Sequence, residues 1–192
     1  MSTAATAALT GGFANPPVDA AHAFRATMDV MARPGEIRQL TQARPPAPLS
    51  VAAGTLILTL CDPETGLHLA GAHDTKDVRD WVAFHTGAPI VPAEAATFAL
   101  GTWKALSPIS RFPVGTAEYP DRSATLIVER AELGAAGATL QGPGIRETAT
   151  LDLPEVAAFA ANHRLYPLGL DFFFTAGSRV AALPRSTAVM EG

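Results

Sequence analysis

Among the residues that could do chemistry, His85 has the most informative position in the sequence. Thr75 and Gly87 are typical of the two ends of a helix, so His85 is predicted to lie in the last turn of that helix. The negative end of the helix dipole favours a protonated imidazole, which could bind an anion. A histidine that caps the carbonyls of its own helix is the alternative, and it is the more common arrangement.

Asp171 lies in an otherwise apolar run from Leu170 to Thr175. A carboxylate in a buried strand is costly unless it is paired, and Arg185 and Arg25 are its possible partners. Guanidinium groups also bind carboxylate and phosphate oxygens bidentately, which makes both arginines candidates for an anion site. The alternative for Asp171 is a purely structural ion pair.

Other catalytic chemistry has little support in the sequence. Cys61 is the single cysteine, which excludes an intramolecular disulfide, and its place at the end of an apolar run predicts burial rather than nucleophilic character. The spacing of His68 and His73 does not match a zinc site. Lys76 and Lys104 are the two lysines, and neither has the context of a Schiff base. No Gly-x-Ser-x-Gly motif occurs. We therefore predict no catalytic residue, metal or cofactor.

Gly142-Pro143-Gly144 resembles a phosphate-binding loop only superficially. A Walker loop requires a lysine after its second glycine to neutralise phosphate charge, and here Ile145 follows. The segment is therefore predicted to be a plain turn, with an independent nucleotide site as the less favoured alternative.

The composition is that of one globular domain. The chain has 192 residues, of which 48% are hydrophobic and 17% charged. A net charge of -4 argues against general binding of nucleic acid. Residues 1–15 are small and polar and are expected to form a flexible N-terminal arm, followed by a single α/β domain over residues 16–192. No secretory signal or membrane span is evident, and the single cysteine suits a reducing compartment, so we expect a cytoplasmic protein.

The C-terminal half alternates strand, helix and strand. Ala124 to Glu129 is predicted to pair with Ala138 to Gln141 as a hairpin. Asp152 is predicted to cap a helix that has Pro154 in its first turn and ends near Arg164. Leu170 to Thr175 is predicted to be a central strand paired with the strand from Arg179 to Leu183, after which the segment from Pro184 to Thr187 leaves the edge of the sheet.

Helices and strands also interleave in the N-terminal half. Predicted helices cover Val18 to Ala32, Leu49 to Cys61 and the segment that begins at Thr75, and Trp103 to Leu106 is predicted to form a helical turn. For Leu49 to Cys61, a strand is the alternative. Predicted strands cover Glu36 to Leu40, Leu67 to Leu69 and Ala96 to Leu100. The expected fold is therefore an α/β unit with a mixed sheet and flanking helices.

Seven short motifs occur along the chain in a fixed order: Phe24-Arg25 with Pro34-Gly35, Phe84-His85-Thr86-Gly87-Ala88-Pro89, Ala96-Thr97-Phe98, Ala124-Thr125-Leu126-Ile127, Gly142-Pro143-Gly144-Ile145, Pro167-Leu168-Gly169-Leu170-Asp171 and Pro184-Arg185-Ser186-Thr187. Together they resemble the PhnH family, whose members are subunits of the carbon-phosphorus lyase. The resemblance covers residues 18 to 187. Asp121 and Ser123 stand where the family pattern has glutamate and glycine.

This resemblance implies a fold related to pyridoxal-phosphate-dependent transferases, with the cofactor site lost. It also implies a homodimer that joins PhnG, PhnI and PhnJ in a core complex for organophosphonate use. With PhnL, that complex attaches an alkylphosphonate to the ribose C1 of ATP and displaces adenine. Chemistry in this step is ascribed to PhnI.

Three functions remain open at this point. The favoured one is a non-autonomous subunit in which Arg25, His85 and Arg185 line an anion-binding cleft, with ATP or an alkylphosphonate at a shared site. The second is a structural dimeric scaffold that binds no ligand. The third is a small-molecule transferase with its own anion site built from His85, Asp171 and Arg185.

Overall fold

A six-stranded mixed sheet forms the centre of the fold in the computed structural model, which describes residues 9–192. The helices are α1 (Pro16–Ala32), α2 (Val51–Leu60), α3 (Lys76–His85), α4 (Trp103–Leu106) and α5 (Val156–His163). The strands are β1 (Arg38–Gln39), β2 (Leu67–Leu69), β3 (Phe98–Thr102), β4 (Thr125–Glu129), β5 (Ala138–Gln141), β6 (Ala149–Leu151), β7 (Asp171–Ala176), β8 (Arg179–Leu183) and β9 (Ala188–Met190). The expected α/β class and mixed sheet are confirmed.

The strand order in the large sheet is β1-β8-β7-β4-β3-β2. Strands β2, β3, β4 and β7 run parallel, while β8 and β1 are antiparallel additions beyond β7. The four parallel strands therefore share one edge at their amino ends, which includes Asp171, and one at their carboxyl ends, which includes Glu129.

Side chains of the central strands alternate between two cores. Leu126 of β4 and Phe172 of β7 face one side, where they belong to the same cluster as Phe159 of α5. Ile127 and Phe173, the next residue of each strand, face the other side, where they pack in the cluster that includes residues of α1, α2 and α3. Because both faces of β4 and β7 are covered, these strands appear in the sequence as continuous apolar runs.

The predicted hairpin of β4 with β5 is wrong. Strand β4 pairs in parallel with β3 and β7, whereas β5 lies between β6 and β9 in a separate three-stranded sheet. Glycines between two strands indicate that the chain turns, but they do not determine which strands then pair. The segment from Pro184 to Thr187 does leave the large sheet, and it leads into β9 of the small one.

Short-range sequence signals predicted one helix N-terminus correctly and another wrongly. Thr75 caps α3 as predicted, since its hydroxyl accepts a hydrogen bond from Val78 N at 3.2 Å. The predicted cap at Asp152 is wrong, because α5 begins at Val156 and Glu155 holds the N-cap position. Asp152 instead accepts a hydrogen bond from Arg130 at 2.8 Å, an ion pair between distant segments that local propensity could not predict. The buried helix predicted for Leu49 to Cys61 is confirmed as α2.

Within residues 9–192, no helix has both the length and the apolar character needed to cross a bilayer.

Candidate functional site

Asp171 and Arg185 form an ion pair at the amino edge of the parallel strands. Asp171 is the first residue of β7, and Arg185 follows β8 by two residues. The Arg185 backbone N–H donates to Asp171 Oδ1 at 2.8 Å, and its Nε lies 3.2 Å from both carboxylate oxygens. Arg185 Nη2 also donates to Asp171 Oδ2. The structure thus pairs Asp171 with Arg185, not with Arg25.

The rest of the Arg185 guanidinium is also bound within the chain. Its Nη1 donates to the carbonyl of Pro120 at 2.7 Å, and Nη2 donates to the hydroxyl of Ser123. The side chains of Arg185 and Asp171 are only 15% and 21% exposed. An incoming anion would therefore compete with Asp171 for a guanidinium whose three nitrogens already have partners. This geometry is that of a structural clamp between β7, the 120–123 turn and the segment after β8.

His85 lies in the last turn of α3, as the sequence predicts. Its Nε2 is 3.2 Å from the carbonyl of Thr10, which also accepts a hydrogen bond from Trp81 Nε1 at 3.0 Å. The imidazole packs at 5.1 Å from the Trp81 ring and 4.9 Å from the Phe84 ring. His85 therefore binds the segment before α1 rather than the carbonyls of its own helix.

Residues 9–15 are the described part of the predicted arm, and residues 1–8 lie outside the described residues. Besides the contacts of Thr10, the carbonyl of Gly11 accepts a hydrogen bond from Arg44 N at 2.8 Å. A Cβ at Gly12 would come within 2.6 Å of the His85 ring, so a larger residue at this position would displace the imidazole. A cavity of about 580 Å³ adjoins this contact and is lined by Leu9, Thr10, Gly11, Gly12, Phe13, Pro16, Ala20, Leu58 and His85.

Arg25 lies on the outer face of α1, where it is exposed beside Phe24 and Met28. No ion pair or hydrogen bond of its side chain occurs within residues 9–192. The structure thus brings Asp171 and Arg185 together. Across the described part of the chain, no hydrogen bond or ion pair links that pair to Arg25 or His85.

Sequence reasoning missed Glu129, which is the last residue of β4 and only 9% exposed. Its Oε1 accepts a hydrogen bond from Ser50 N, the N-cap residue of α2, at 2.7 Å, and its Oε2 accepts one from the Thr175 hydroxyl at 3.0 Å. Burial raises the pKa of Glu129, while the bonds from Ser50 and Thr175 oppose that rise. The sequence signal that could have identified Glu129 is an acidic residue directly after the apolar run from Ala124 to Val128.

The other candidate nucleophiles and metal ligands are buried or make contacts within the chain that are typical of structural residues. Cys61 is buried, as the sequence predicts, and this burial raises the pKa of its thiol to about 12, which disfavours a thiolate nucleophile. His68 Nδ1 lies 3.0 Å from the carbonyl of Val91. Lys76 pairs with Asp80 at 2.5 Å on the surface. No group of three or more potential ligands that could hold a metal ion is present in residues 9–192.

The Gly142-Pro143-Gly144 turn packs against the C-terminal end of α1. Gly144 has φ +82°, and a Cβ there would come within 1.8 Å of the Ala32 carbonyl oxygen. The glycine is therefore required by this close approach of two backbones. The same contact places a helix C-terminus, with its negative dipole, next to the turn, which disfavours a phosphate there.

Comparison with known proteins identifies the family. Residues 11–190 match the model of the family PhnH, described as bacterial phosphonate metabolism protein. The chain is 42% identical, over 194 aligned positions, to "Alpha-D-ribose 1-methylphosphonate 5-triphosphate synthase subunit PhnH" of Rhizobium meliloti (strain 1021), covering 96% of this chain and 97% of that protein. It is 28% identical, over 87% of this chain and 84% of the relative, to "Putative C-P lyase subunit protein HtxG" of Stutzerimonas stutzeri. The chain therefore belongs to the PhnH family of bacterial phosphonate metabolism proteins.

Proposed function

We propose that this chain is a non-autonomous subunit of a carbon-phosphorus lyase core complex in organophosphonate catabolism. In that role it supports the transfer of an alkylphosphonate to the ribose C1 of ATP with release of adenine. The observation that carries the proposal is the 42% identity, over nearly the full length of both chains, to a subunit of ribose 1-methylphosphonate 5-triphosphate synthase.

The placement of the candidate residues supports a dependent role. Arg185 is bound to Asp171, Pro120 and Ser123, and His85 is bound to Thr10, so these side chains are used within the chain. Arg25 is exposed on α1 and is the candidate arginine that a ligand or a partner could reach. An active site that used Arg25 would be completed by groups outside this chain.

The test compares the isolated chain with the co-expressed complex. The purified chain alone should neither hydrolyse ATP nor consume methylphosphonate, and co-expression with PhnG, PhnI and PhnJ should give a complex that contains it. Turnover by the isolated chain, or its absence from the co-purified complex, would contradict the proposal.

Self-association through α1 is the second part of the proposal. Phe24 and Met28 are 51% and 50% exposed and line a groove on the outer face of this helix. Arg25 and Asp29 also line that groove, and within residues 9–192 the Asp29 side chain makes one long contact, of 3.4 Å, with Arg33. Two antiparallel copies of α1 would therefore place Arg25 of one copy near Asp29 of the other, which makes the face self-complementary.

Met28→Glu tests this homodimer, because it places a carboxylate in the centre of the apolar face. Light scattering should show a dimer for the wild type and a monomer for M28E. Phe84→Glu is the matched control, since Phe84 is equally exposed but lies on α3, and it should leave the dimer intact. A dimeric M28E would contradict the proposed interface.

A structural scaffold without any ligand is the alternative that the geometry favours next. Because Arg185 is already bound to other groups of the chain, the scaffold is favoured over a transferase site built from His85, Asp171 and Arg185. Isothermal titration of the isolated chain with ATP and with methylphosphonate separates the two, since measurable binding excludes the scaffold. If Arg185→Ala and His85→Ala leave an assembled complex fully active, the anion site is excluded.

The remaining expectations also belong to this proposal. We infer that residues 16–192 act as one domain, related in fold to pyridoxal-phosphate-dependent transferases but without the cofactor. The exposed positions of Lys76 and Lys104 support this inference, because a Schiff-base lysine needs a shielded pocket. Stoichiometric labelling of either lysine by pyridoxal phosphate would contradict it. Buried Cys61 suits a cytoplasmic protein, and cell fractionation tests that location.

A further inference from the structure

A cleft lies beside Trp103, at the carboxyl edge of the parallel strands. Trp103 directly follows β3, and in open α/β sheets ligands bind outside the carboxyl ends of the strands. The cleft is a cavity of about 470 Å³ that is lined by Trp103, by residues in the segment 107–110, and by Glu155 and Ala158 at the start of α5. A largely apolar cavity of this size with a few polar groups is typical of a small-molecule site.

The Trp103 ring and the Glu155 carboxylate are held next to each other in this cleft. Trp103 Nε1 donates to Glu155 Oε2 at 3.0 Å, and the Trp103 ring packs against the ring of Phe159 at 4.7 Å. Glu155 is exposed, and within residues 9–192 its Oε1 makes no hydrogen bond and its carboxylate makes no ion pair. The cleft therefore presents an ordered aromatic ring beside a carboxylate that lacks a countercharge.

No basic side chain neutralises this carboxylate from the wall of the cleft. Among the described residues, those that line it besides Glu155 are a tryptophan, two serines, a proline, an isoleucine and an alanine. The N-terminus of α5 carries about half a positive charge, which reduces the full negative charge of Glu155 but does not cancel it. The face of an aromatic ring is also negative, so an indole beside a carboxylate attracts an organic cation.

A second cavity extends the cleft along α5. It has a volume of about 280 Å³ and shares Ile109, Ser110 and Ala158 with the first cavity. The rest of its wall is apolar except for Asn162, whose side-chain amide is bound to the backbone N–H and carbonyl of Leu170. The first cavity is thus acidic and the second is apolar, a combination that fits a cation with an aliphatic chain.

From this geometry we propose that the cleft binds a small alkylammonium ion. The ammonium group lies beside the Trp103 ring and the Glu155 carboxylate, and the alkyl chain extends along α5 into the second cavity. This inference does not rest on the proposed function, because it gives the chain a ligand whose charge is opposite to that of ATP or a phosphonate. Every residue that forms the cleft belongs to this chain, so the isolated protein is sufficient for the test.

The experiment follows the two indole N–H signals of the protein by two-dimensional NMR during titration. Choline should shift the signal of Trp103 and leave that of Trp81 unchanged, since Trp81 is fully buried and its Nε1 donates to Thr10. The neutral analogue 3,3-dimethylbutan-1-ol has the shape of choline without its charge, and we expect it to bind about tenfold more weakly. A Trp103 signal that choline leaves in place, or equal affinity for the two compounds, would overturn the proposal.

A second pair of ligands tests the apolar part of the cleft. Butyltrimethylammonium should bind about tenfold more tightly than tetramethylammonium, because its chain gains apolar contact in the second cavity. Equal binding of these two ions would show that the second cavity takes no part, which contradicts the proposed pose.

Glu155→Gln tests the carboxylate. The glutamine keeps an acceptor for Trp103 Nε1 and removes the charge, and we expect choline to bind about tenfold more weakly to E155Q. Glu147→Gln is the matched control, since Glu147 is an exposed carboxylate outside both cavities, and its loss should leave the affinity unchanged. The unshifted Trp81 signal verifies that each variant is folded. Wild-type affinity in E155Q, or an equal loss in E147Q, would overturn the assignment of this site.

Discussion

The two edges of the parallel strands each hold a carboxylate, but by different means. At the amino edge, Asp171 is paired with the full positive charge of Arg185, which is itself bound to Pro120 and Ser123. At the carboxyl edge, Glu129 is more buried and is held by two uncharged donors, Ser50 N and the Thr175 hydroxyl. An ion pair compensates burial at one edge, and the hydrogen bonds at the other come from uncharged groups.

The difference separates an ion-pair clamp from a buried carboxylate that is held by uncharged donors. Arg185 and Asp171 neutralise each other and connect three segments, so removal of either partner would leave an uncompensated charge at this edge. Glu129 has no countercharge among its hydrogen-bond partners, and burial therefore raises its pKa. The comparison predicts that variants at the two edges will differ in the size and in the pH dependence of their effects on the free energy of unfolding.

The largest effect is expected for Arg185→Ala, which leaves Asp171 half-buried without its partner. We expect a loss of about 2–3 kcal/mol in the free energy of unfolding, below the range for fully buried pairs because water reaches both groups. Urea denaturation measures this loss. The matched control is Arg38→Ala, since Arg38 pairs with Glu36 but both side chains are more than 40% exposed, and we expect at most about 0.5 kcal/mol there. Equal losses in the two variants would remove the distinction between a clamp and a surface pair.

An intermediate, pH-dependent effect is expected for Glu129→Gln. Because burial raises the pKa of Glu129 above its ordinary 4.5, the folded protein holds the proton more tightly than the unfolded chain does. Stability from this group is therefore complete below about pH 4.5 and decreases as the pH rises through the raised pKa. The wild type should lose stability relative to E129Q over that interval, and the difference should then become constant. A difference independent of pH would mean that Glu129 ionises equally in both states.

The smallest effects are expected for the two hydroxyls that serve these carboxylate sites. Thr175→Val removes a donor to a buried carboxylate that has few others, and we expect a loss of about 1.5 kcal/mol. Ser123→Ala removes one acceptor from Arg185, which keeps Asp171 and the Pro120 carbonyl, and we expect about 0.5 kcal/mol. Chemical denaturation of both variants at pH 7 checks the order. A larger loss in S123A would show that the Arg185 cluster depends on the hydroxyl more than on the ion pair.

Structural features that depend on residues close together in the chain were predicted correctly from the sequence. The cap at Thr75, the buried helix α2 and the strands β7 and β8 depend on short-range patterns of hydrogen bonding and apolar periodicity, which the order of neighbouring residues expresses directly. The ordered motifs also identified the family, and comparison with known proteins confirms it.

Contacts between distant segments were predicted less well. The partner of Asp171 was left open between Arg185 and Arg25, and Asp152 was assigned to a helix cap although it pairs with Arg130. The hairpin of β4 with β5 failed for the same reason, because a turn signal does not specify which strand edge is free.

By itself, the sequence of this protein determined the apolar strands, the helix cap at Thr75 and the family to which the chain belongs, because each of these depends on residue types at short or ordered spacing. The tertiary structure alone decided which polar groups meet: it placed Arg185 on Asp171, Glu129 on the backbone N–H of Ser50 at the start of α2, and His85 on the carbonyl of Thr10. The physical reason is that a pairing between residues tens of positions apart depends on strand order and helix crossing, which burial of the whole core selects and no local pattern encodes.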